Sequence, residues 1–285
     1  MGKFASFGGG FADVHKGDWN GSAVAIKRLR VYSDDPQEKR QQMKKTLFRE
    51  ALIWCTMKHR NILPLVGVCV SDALSPFLMV SPWMENGNIV RYTTIHKTSQ
   101  QVIDAMLREV AAGLEYLHAH GLVHGDVRGA NVLVDQYMHP RIADFGLAHL
   151  SDMAHSNSGS GSARWMAPEL HDPQAFGLEH PVRTRQSDFF AFGMLCLEVS
   201  SGQLPFSHLR TDGAALLAIV RGERPKRPLE ENRRMSDVLW TWASCCWSHR
   251  PGDRPSMKEL LEDSVHDIEC EFPLVDFSSF QLRPS

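Results

Sequence analysis

The stretch His124-Gly125-Asp126-Val127-Arg128-Gly129-Ala130-Asn131 constrains this chain most, because everything else must hold it in place. A short hairpin follows, and after it Asp144-Phe145-Gly146. Two carboxylates and one carboxamide thus sit in loops flanked by the apolar runs Val132-Leu133-Val134 and Ile142-Ala143. Asp and Asn offer hard oxygen ligands, and carboxylate oxygens bind divalent ions such as Mg²⁺ together with phosphates. An Asp beside such a metal can also accept a proton from an incoming hydroxyl.

Composition narrows the alternatives. With 285 residues, 43% of them apolar, the chain can bury a sizeable core as one large or two modest domains. A net charge of -2 argues against a bulk nucleic-acid binder. The six cysteines form no C-x-x-C pair, and adjacent Cys245 and Cys246 are poorly spaced for zinc. They read as reduced core thiols of a cytoplasmic protein. No stretch approaches the ~18 apolar residues of a membrane span; Phe189 to Val199 is short and carries Glu198. The start has no secretory pattern. Met1-Gly2-Lys3-Phe4-Ala5-Ser6 fits the loose myristoylation pattern. However, a first strand needs the same residues and no basic cluster supplies a second anchor, so Gly2 is read as unmodified.

In chain order, Phe4 to Gly10 reads as a strand running into Gly8-Gly9-Gly10. Phe11 to Val14 follows as a second strand, with Gly17 to Gly21 as a turn. Glycines let backbone amides approach phosphate oxygens. Val24-Ala25-Ile26-Lys27 is an alternating strand ending in a lysine, a point charge suited to phosphate. Asp35-Pro36 opens a helix to about Met57, with Met43, Leu47, Ala51 and Trp54 on one face and Glu50 near it. Lys39, Arg40, Lys44 and Lys45 give it a solvated basic face. Strands are expected over Leu65 to Val70 and Phe77 to Val80. Gln100 to His120 has helical spacing through Val102, Ile103, Met106, Val110, Leu114 and Leu117, with Gly121 placed to stop it. Ser156 to Ser162 is a Ser/Gly-rich loop, and Phe189, Phe192, Leu195 and Val199 mark a buried helix to about Ser201.

These motifs, in this order, resemble the protein kinase family, whose pattern is H-R-D-x-x-x-x-N followed by D-F-G. Val24-Ala25-Ile26-Lys27 is the family's V-A-I-K verbatim, and Ala167-Pro168-Glu169 is its A-P-E. The resemblance reaches from the glycine cluster to about His266 and implies an α+β, bilobal fold with ATP in the cleft. A small antiparallel-sheet lobe with one large helix (1–81) would lead through a hinge (82–88) to a larger, mainly helical lobe (89–270), with a tail over 271–285. It implies that Lys27 pairs the phosphates, Glu50 pairs Lys27, Asp126 is the base and Arg128 neutralises transferred phosphate. Asn131 and Asp144 would hold Mg²⁺. Gly8, Gly9, Gly10, Ala12, Val14, Ala25, Ser81, Met84 and Leu133 would surround the nucleotide, with Met84 facing adenine, Ser81 leaving the rear open and Leu133 covering the far face. Glu169 and Arg254 would form a buried ion pair. The glycine loop keeps one of the three family glycines, Gly9. Gly125 replaces the usual Arg, so phosphate on the Ser-rich loop would lack its main partner and catalysis is expected not to need it.

The implied partner is a protein substrate. Gly161-Ser162 ahead of Arg164-Trp165 resembles serine/threonine kinases, whereas Asp126 to Asn131 is close to the D-L-R-A-A-N of some tyrosine kinases. The mixture fits the tyrosine-kinase-like serine/threonine group, of the type lacking the H-R-D arginine. The alternatives are a tyrosine kinase, or a pseudokinase acting as a nucleotide-binding scaffold, which the poor glycine loop and Gly125 would suit.

Overall fold

The structure, a computed structural model, describes residues 7–8, 12–29, 45, 48, 51–69, 78–145, 162–228 and 235–263. Expectations for Gly9, Gly10, Glu50, Gly146, Ser156 to Gly161 and the tail lie outside the described residues.

Five strands form one antiparallel sheet: β1 (Phe7–Gly8), β2 (Ala12–Trp19), β3 (Ser22–Leu29), β4 (Gly67–Cys69) and β5 (Leu78–Pro82), in the order β1-β2-β3-β5-β4. Gly17 corrects the sequence reading. It lies inside β2, opposite Val24, and is no turn. The turn is Asn20-Gly21, with φ of 53° and 78°. Asn and Gly accept positive φ most cheaply, and a two-residue turn of that kind follows the natural twist of a hairpin. Pairing in β4 begins at Gly67, later than the apolar run from Leu65, and β5 continues to Pro82. The register sets the cleft wall. Val14, Lys27 and Met79 lie side by side across three strands, and Ala25 pairs with Ser81.

The helix expected through Trp54 is described at residues 51–56 (α1), with Ala51 and Trp54 buried and Leu52 exposed. Trp54 Nε1 donates to Leu63 O at 2.6 Å. A short helix absent from the sequence reading, α2 (Ile89–Ile95), follows the hinge and is capped by Asn88 accepting from Arg91 N. α3 (Gln100–Ala119) matches its periodicity: Ile103, Met106, Leu107, Val110, Leu114 and Leu117 are buried on one side. Gly121, at φ 76°, ends it. The hairpin β6 (Val132–Val134) and β7 (Pro140–Ile142) comes next. The remaining helices are α4 (Pro168–His171), α5 (Arg185–Ser201), α6 (Asp212–Val220), α7 (Asp237–Cys246) and α8 (Met257–Asp263).

α5 starts at a capping box between Thr184 and Ser187 and is buried on every side from Ser187 to Ser200. Burying Phe190 and Phe192 completely contributes about 1.5–3 kcal/mol each. The outcome is an α+β fold with a small sheet lobe and a mainly helical lobe. The lobes are strapped together next to the cleft. Leu63 N donates to Ile142 O and Ile142 N to Asn61 O, both at 2.8 Å, while Val134 N donates to Gly87 O at 2.9 Å. Cys196 and Cys246 are buried free thiols as read from the sequence, whereas Cys55, Cys69 and Cys245, also free, are exposed and are not core thiols. Among the described residues no helix is long and apolar enough to cross a membrane.

Candidate active site

Lys27 stands in the middle of the sheet, where β2 and β5 flank it, so its stem is covered and its amine projects past the sheet. Its Nζ lies 2.6 Å from Asp144 Oδ1. This contact joins the small lobe to the loop that follows β7. Asp144 takes a left-handed backbone, φ 61°, a conformation that Asp tolerates better than most residues. Phe145, next in sequence, is buried and meets Trp54 of α1 edge-on, with centroids 5.6 Å apart.

The loop before β6 is fixed at every residue that matters. His124 is buried, and Asp126 N donates to its Nδ1 at 3.2 Å. Its Nε2 lies 3.1 Å from Ala143 O, so this imidazole bridges Asp126 and the residue before Asp144. Asn131 Nδ2 donates to both Asp126 O and Asp126 Oδ2 at 2.8 Å. Arg128 Nε lies 3.3 Å from Asp126 Oδ2. Ala143 N donates to Asn131 O at 2.9 Å, which ties the two loops together. Lys27 thus meets Asp144, Arg128 and Asn131 meet Asp126, and the two groups are joined through the Ala143 N to Asn131 O bond. Among the cleft-wall candidates, Gly8 and Ala12 lie on β1 and β2, Val14 and Ala25 face the register described above, and Ser81 is buried. Met84 and Leu133 are partly buried against the core. Met84 O accepts from Gly87 N at 3.1 Å, which folds the hinge back on itself. A cavity of about 720 Å³ bounded by Arg108, Trp242, Cys245 and Glu259 contains none of these residues. The converging charges, not this hollow, mark the site.

Three partners of this loop lie far from it in sequence, on or just before α5. Asp188 of α5 accepts from His124 N and Gly125 N at 2.8 Å and lies 2.8 Å from His118 Nε2. Gly125 sits at φ 78°, where a side chain would cost roughly 1–2 kcal/mol, so glycine relaxes the loop at this point. Arg183 Nε donates to Gly125 O at 3.1 Å, bringing a guanidinium beside the residue where the family's own arginine is missing. Glu198, also on α5, accepts from Gly129 N at 2.8 Å and from Trp165 Nε1 at 2.9 Å through Oε2. A Cβ at Gly129 would meet Val90 Cγ2 at 2.3 Å, so any side chain there forces its neighbours to move.

Burial pushes the Glu198 carboxyl up to about 7, against the two N–H donors and the charge of Arg128, which act the other way. A carboxyl raised above its ordinary 4.5 stabilises the fold most below pH 4.5, and that contribution is lost as pH rises through about 7. Glu198→Gln, which cannot ionise, is therefore expected to gain roughly 2–3 kcal/mol relative to wild type between pH 5 and pH 8. Urea melts of both proteins at the two pH values test this, and a pH-independent difference contradicts it.

The donor set suits Mg²⁺. This ion is held through one or two protein carboxylates plus substrate phosphates, not by an all-protein cage. One carboxylate, Asp144, and one carboxamide, Asn131, meet that requirement, and Lys27 is already at Asp144 to share a polyanion.

The family described as protein tyrosine and serine/threonine kinase matches residues 6–263. Serine/threonine-protein kinase STY17 of Arabidopsis thaliana is 29% identical over 259 residues, covering 89% of this chain and 42% of that protein. Serine/threonine/tyrosine-protein kinase HT1 of the same plant is 27% identical over 272 residues, 94% of this chain and 66% of that protein. Tyrosine-protein kinase SRK3 of Spongilla lacustris is 33% identical over 267 residues, 90% and 73% respectively. The chain thus spans less than two thirds of the length of STY17 and of HT1. A motif order that runs from Lys27 to Glu169, a two-lobed fold, a converged set of charges at the cleft and a match over residues 6–263 agree: the chain belongs to the protein tyrosine and serine/threonine kinase family.

Proposed function

We propose that this chain is an ATP-dependent protein kinase that transfers the γ-phosphate to serine or threonine hydroxyls of a protein substrate. The observation that carries the proposal is the Asp126 carboxylate held by Asn131 Nδ2 at 2.8 Å, on a loop bonded to the strand that presents Asp144 to Lys27. Asp126 accepts the proton of the incoming hydroxyl. Lys27 holds phosphate oxygens, with Glu50 of the same lobe as its pairing partner. Arg128 offsets charge on the group being transferred, and Asn131 and Asp144 offer oxygens to the metal. When bound, Mg²⁺–ATP supplies the phosphoryl group and neutralises the charge on its oxygens. Val14, Ala25, Met84 and Leu133, with the glycines before them, enclose the nucleotide, and Ser81 leaves its rear open. The kinase domain in this reading is residues 1–270. Free thiols and the absence of a membrane-crossing helix among the described residues are in keeping with a cytoplasmic setting.

Acceptor choice rests on Arg164-Trp165 following Gly161-Ser162, and on relatives named as serine/threonine kinases. A second reading, dual specificity, draws support from HT1, whose name includes tyrosine. The purified chain with ATP, Mg²⁺ and a generic protein substrate should yield phosphoserine or phosphothreonine on acid hydrolysis. Phosphotyrosine alone would overturn the serine/threonine assignment. Nucleotide binding with no transfer to any acceptor would favour a scaffold.

A further inference from the structure

We infer that Lys16 is a positioning residue for nucleotide binding: through Glu85 and Trp83 it pins the hinge on both sides of Met84, and so sets how adenine is held. The register puts Lys16 on the cleft side of the sheet. It pairs with Ala25 and lies two residues along β2 from Val14, which pairs with Lys27. Alternate residues of a strand share a face, so Lys16 shares that of Val14, Ala25 and Lys27. From there its Nζ reaches the hinge. It lies 2.7 Å from Glu85 Oε1 and 5.1 Å from the centre of the Trp83 ring. Trp83 Nε1 donates to Glu85 Oε2 at 3.2 Å, which closes a cycle of contacts among the three side chains. The hydrogen bond from Lys16 holds the Glu85 carboxyl below its ordinary value.

Met84 sits between the two tied residues. Trp83 N also donates to Ala23 O at 3.0 Å, and Met84 O accepts from Gly87 N at 3.1 Å. The side chains on either side of Met84 both meet Lys16, and Lys16 belongs to the strand that carries Val14. Val14 and Met84 are the residues proposed to enclose the nucleotide from sheet and hinge, so this contact fixes one against the other. An exposed ion pair adds little to fold stability. Its use here is geometric, because a hinge already held in one shape has less freedom to lose when adenine binds. Charge alone does not explain Glu85. A carboxylate on the rim of a site for a polyanion repels that ligand. Its place there follows from what it holds.

The inference rests on the kinase reading, and the test separates the two. Wild type, Lys16→Met, Glu85→Gln, the double variant and the charge-reversed Lys16→Glu/Glu85→Lys are compared for the Kd of Mg²⁺–ATP, with KM for the acceptor alongside. The two side chains are 44% and 58% exposed, so every variant should fold, which thermal melts check. Each single change should weaken Mg²⁺–ATP binding about 3- to 10-fold, and the double variant should lose little more than either single change. The charge-reversed pair should recover most of the loss. KM for the acceptor should stay within about twofold throughout. The sign at Glu85 is decisive. If Lys16 acted only as a charge attracting phosphate, Glu85→Gln would remove a repulsion and tighten binding. Tighter or unchanged binding in Glu85→Gln, or losses that add in the double variant, overturns the inference. A wild-type chain that binds no nucleotide rejects the kinase reading instead. Hydrogen exchange then decides alone: Lys16→Met must speed exchange at Trp83 N–H, and unchanged exchange overturns the positioning role.

Discussion

Asp126→Asn should lower phosphate transfer by roughly 10²- to 10⁴-fold and leave nucleotide binding almost unaffected. The substitution keeps the shape of the side chain, and its carboxamide oxygen can still accept from Asn131 Nδ2, which lies 2.8 Å from Asp126 Oδ2. The second bond from Asn131, to the Asp126 backbone carbonyl, does not involve the changed group at all. The loop therefore keeps its hydrogen bonds from Asn131 and loses its proton acceptor together with the charge that faces Arg128 Nε. Lys27 and Asp144 contact each other and not Asp126, so the nucleotide grip should survive. Turnover with a protein acceptor, measured beside the dissociation constant for ATP, tests both halves. Transfer at near wild-type rate in Asp126→Asn would sink the assignment of the base. Loss of ATP binding in the same variant would mean that the loop had collapsed and that the two functions are not separable.

Glu169→Ala should cost about 3–5 kcal/mol of stability, a large part of the margin of an ordinary domain. Arg254 donates from Nη1 and Nη2 to the two Glu169 oxygens at 2.6 and 2.7 Å, and both side chains are almost wholly buried. Arg254 also donates to Ser248 O, Gln186 O and His249 O, and its guanidinium lies over the Phe190 ring. Those carbonyls hold the cation in place but carry no full charge to balance it. Removing Glu169 thus leaves a buried guanidinium that can neither leave nor readily lose its proton. The pair's net worth against an apolar replacement is a separate matter, and a double change to two apolar residues should cost less than Glu169→Ala alone. Denaturant melts of the single and double variants measure the difference. A Glu169→Ala protein as stable as wild type would show that water reaches Arg254.

Much of the site was legible because the chemistry is concentrated in short runs. Lys27 stands near the end of a strand whose alternation is visible, and Asp126, Asn131 and Asp144 lie within loops bounded by short apolar runs. α3 was legible because one side faces a core and the other faces water, which writes a helical period into the sequence. Where that asymmetry fails, local reading fails. Gly17 looked like a turn because glycine often is one, yet its strand pairing with Val24 prevailed, and Asn20-Gly21 carried the turn. α2 was missed because seven residues between hinge and α3 are too few for a period to show.

By itself, then, the sequence pointed to the family, the two-lobed plan and, through the family resemblance, the Glu169–Arg254 pair, and that resemblance also supplied the residues proposed to grip phosphate, metal and proton. Only the tertiary structure decided what holds the loop of Asp126 in shape. Asp188, Arg183 and Glu198 lie dozens of residues further along the chain, and on a helix buried all round no periodicity distinguishes a structural acid from a positioning one. Their roles depend on which backbone N–H groups end up without a partner when α5 packs beneath the loop. A buried donor must be satisfied by whatever acceptor the fold places against it. That choice is made by packing across the core, and no stretch of neighbouring residues records it.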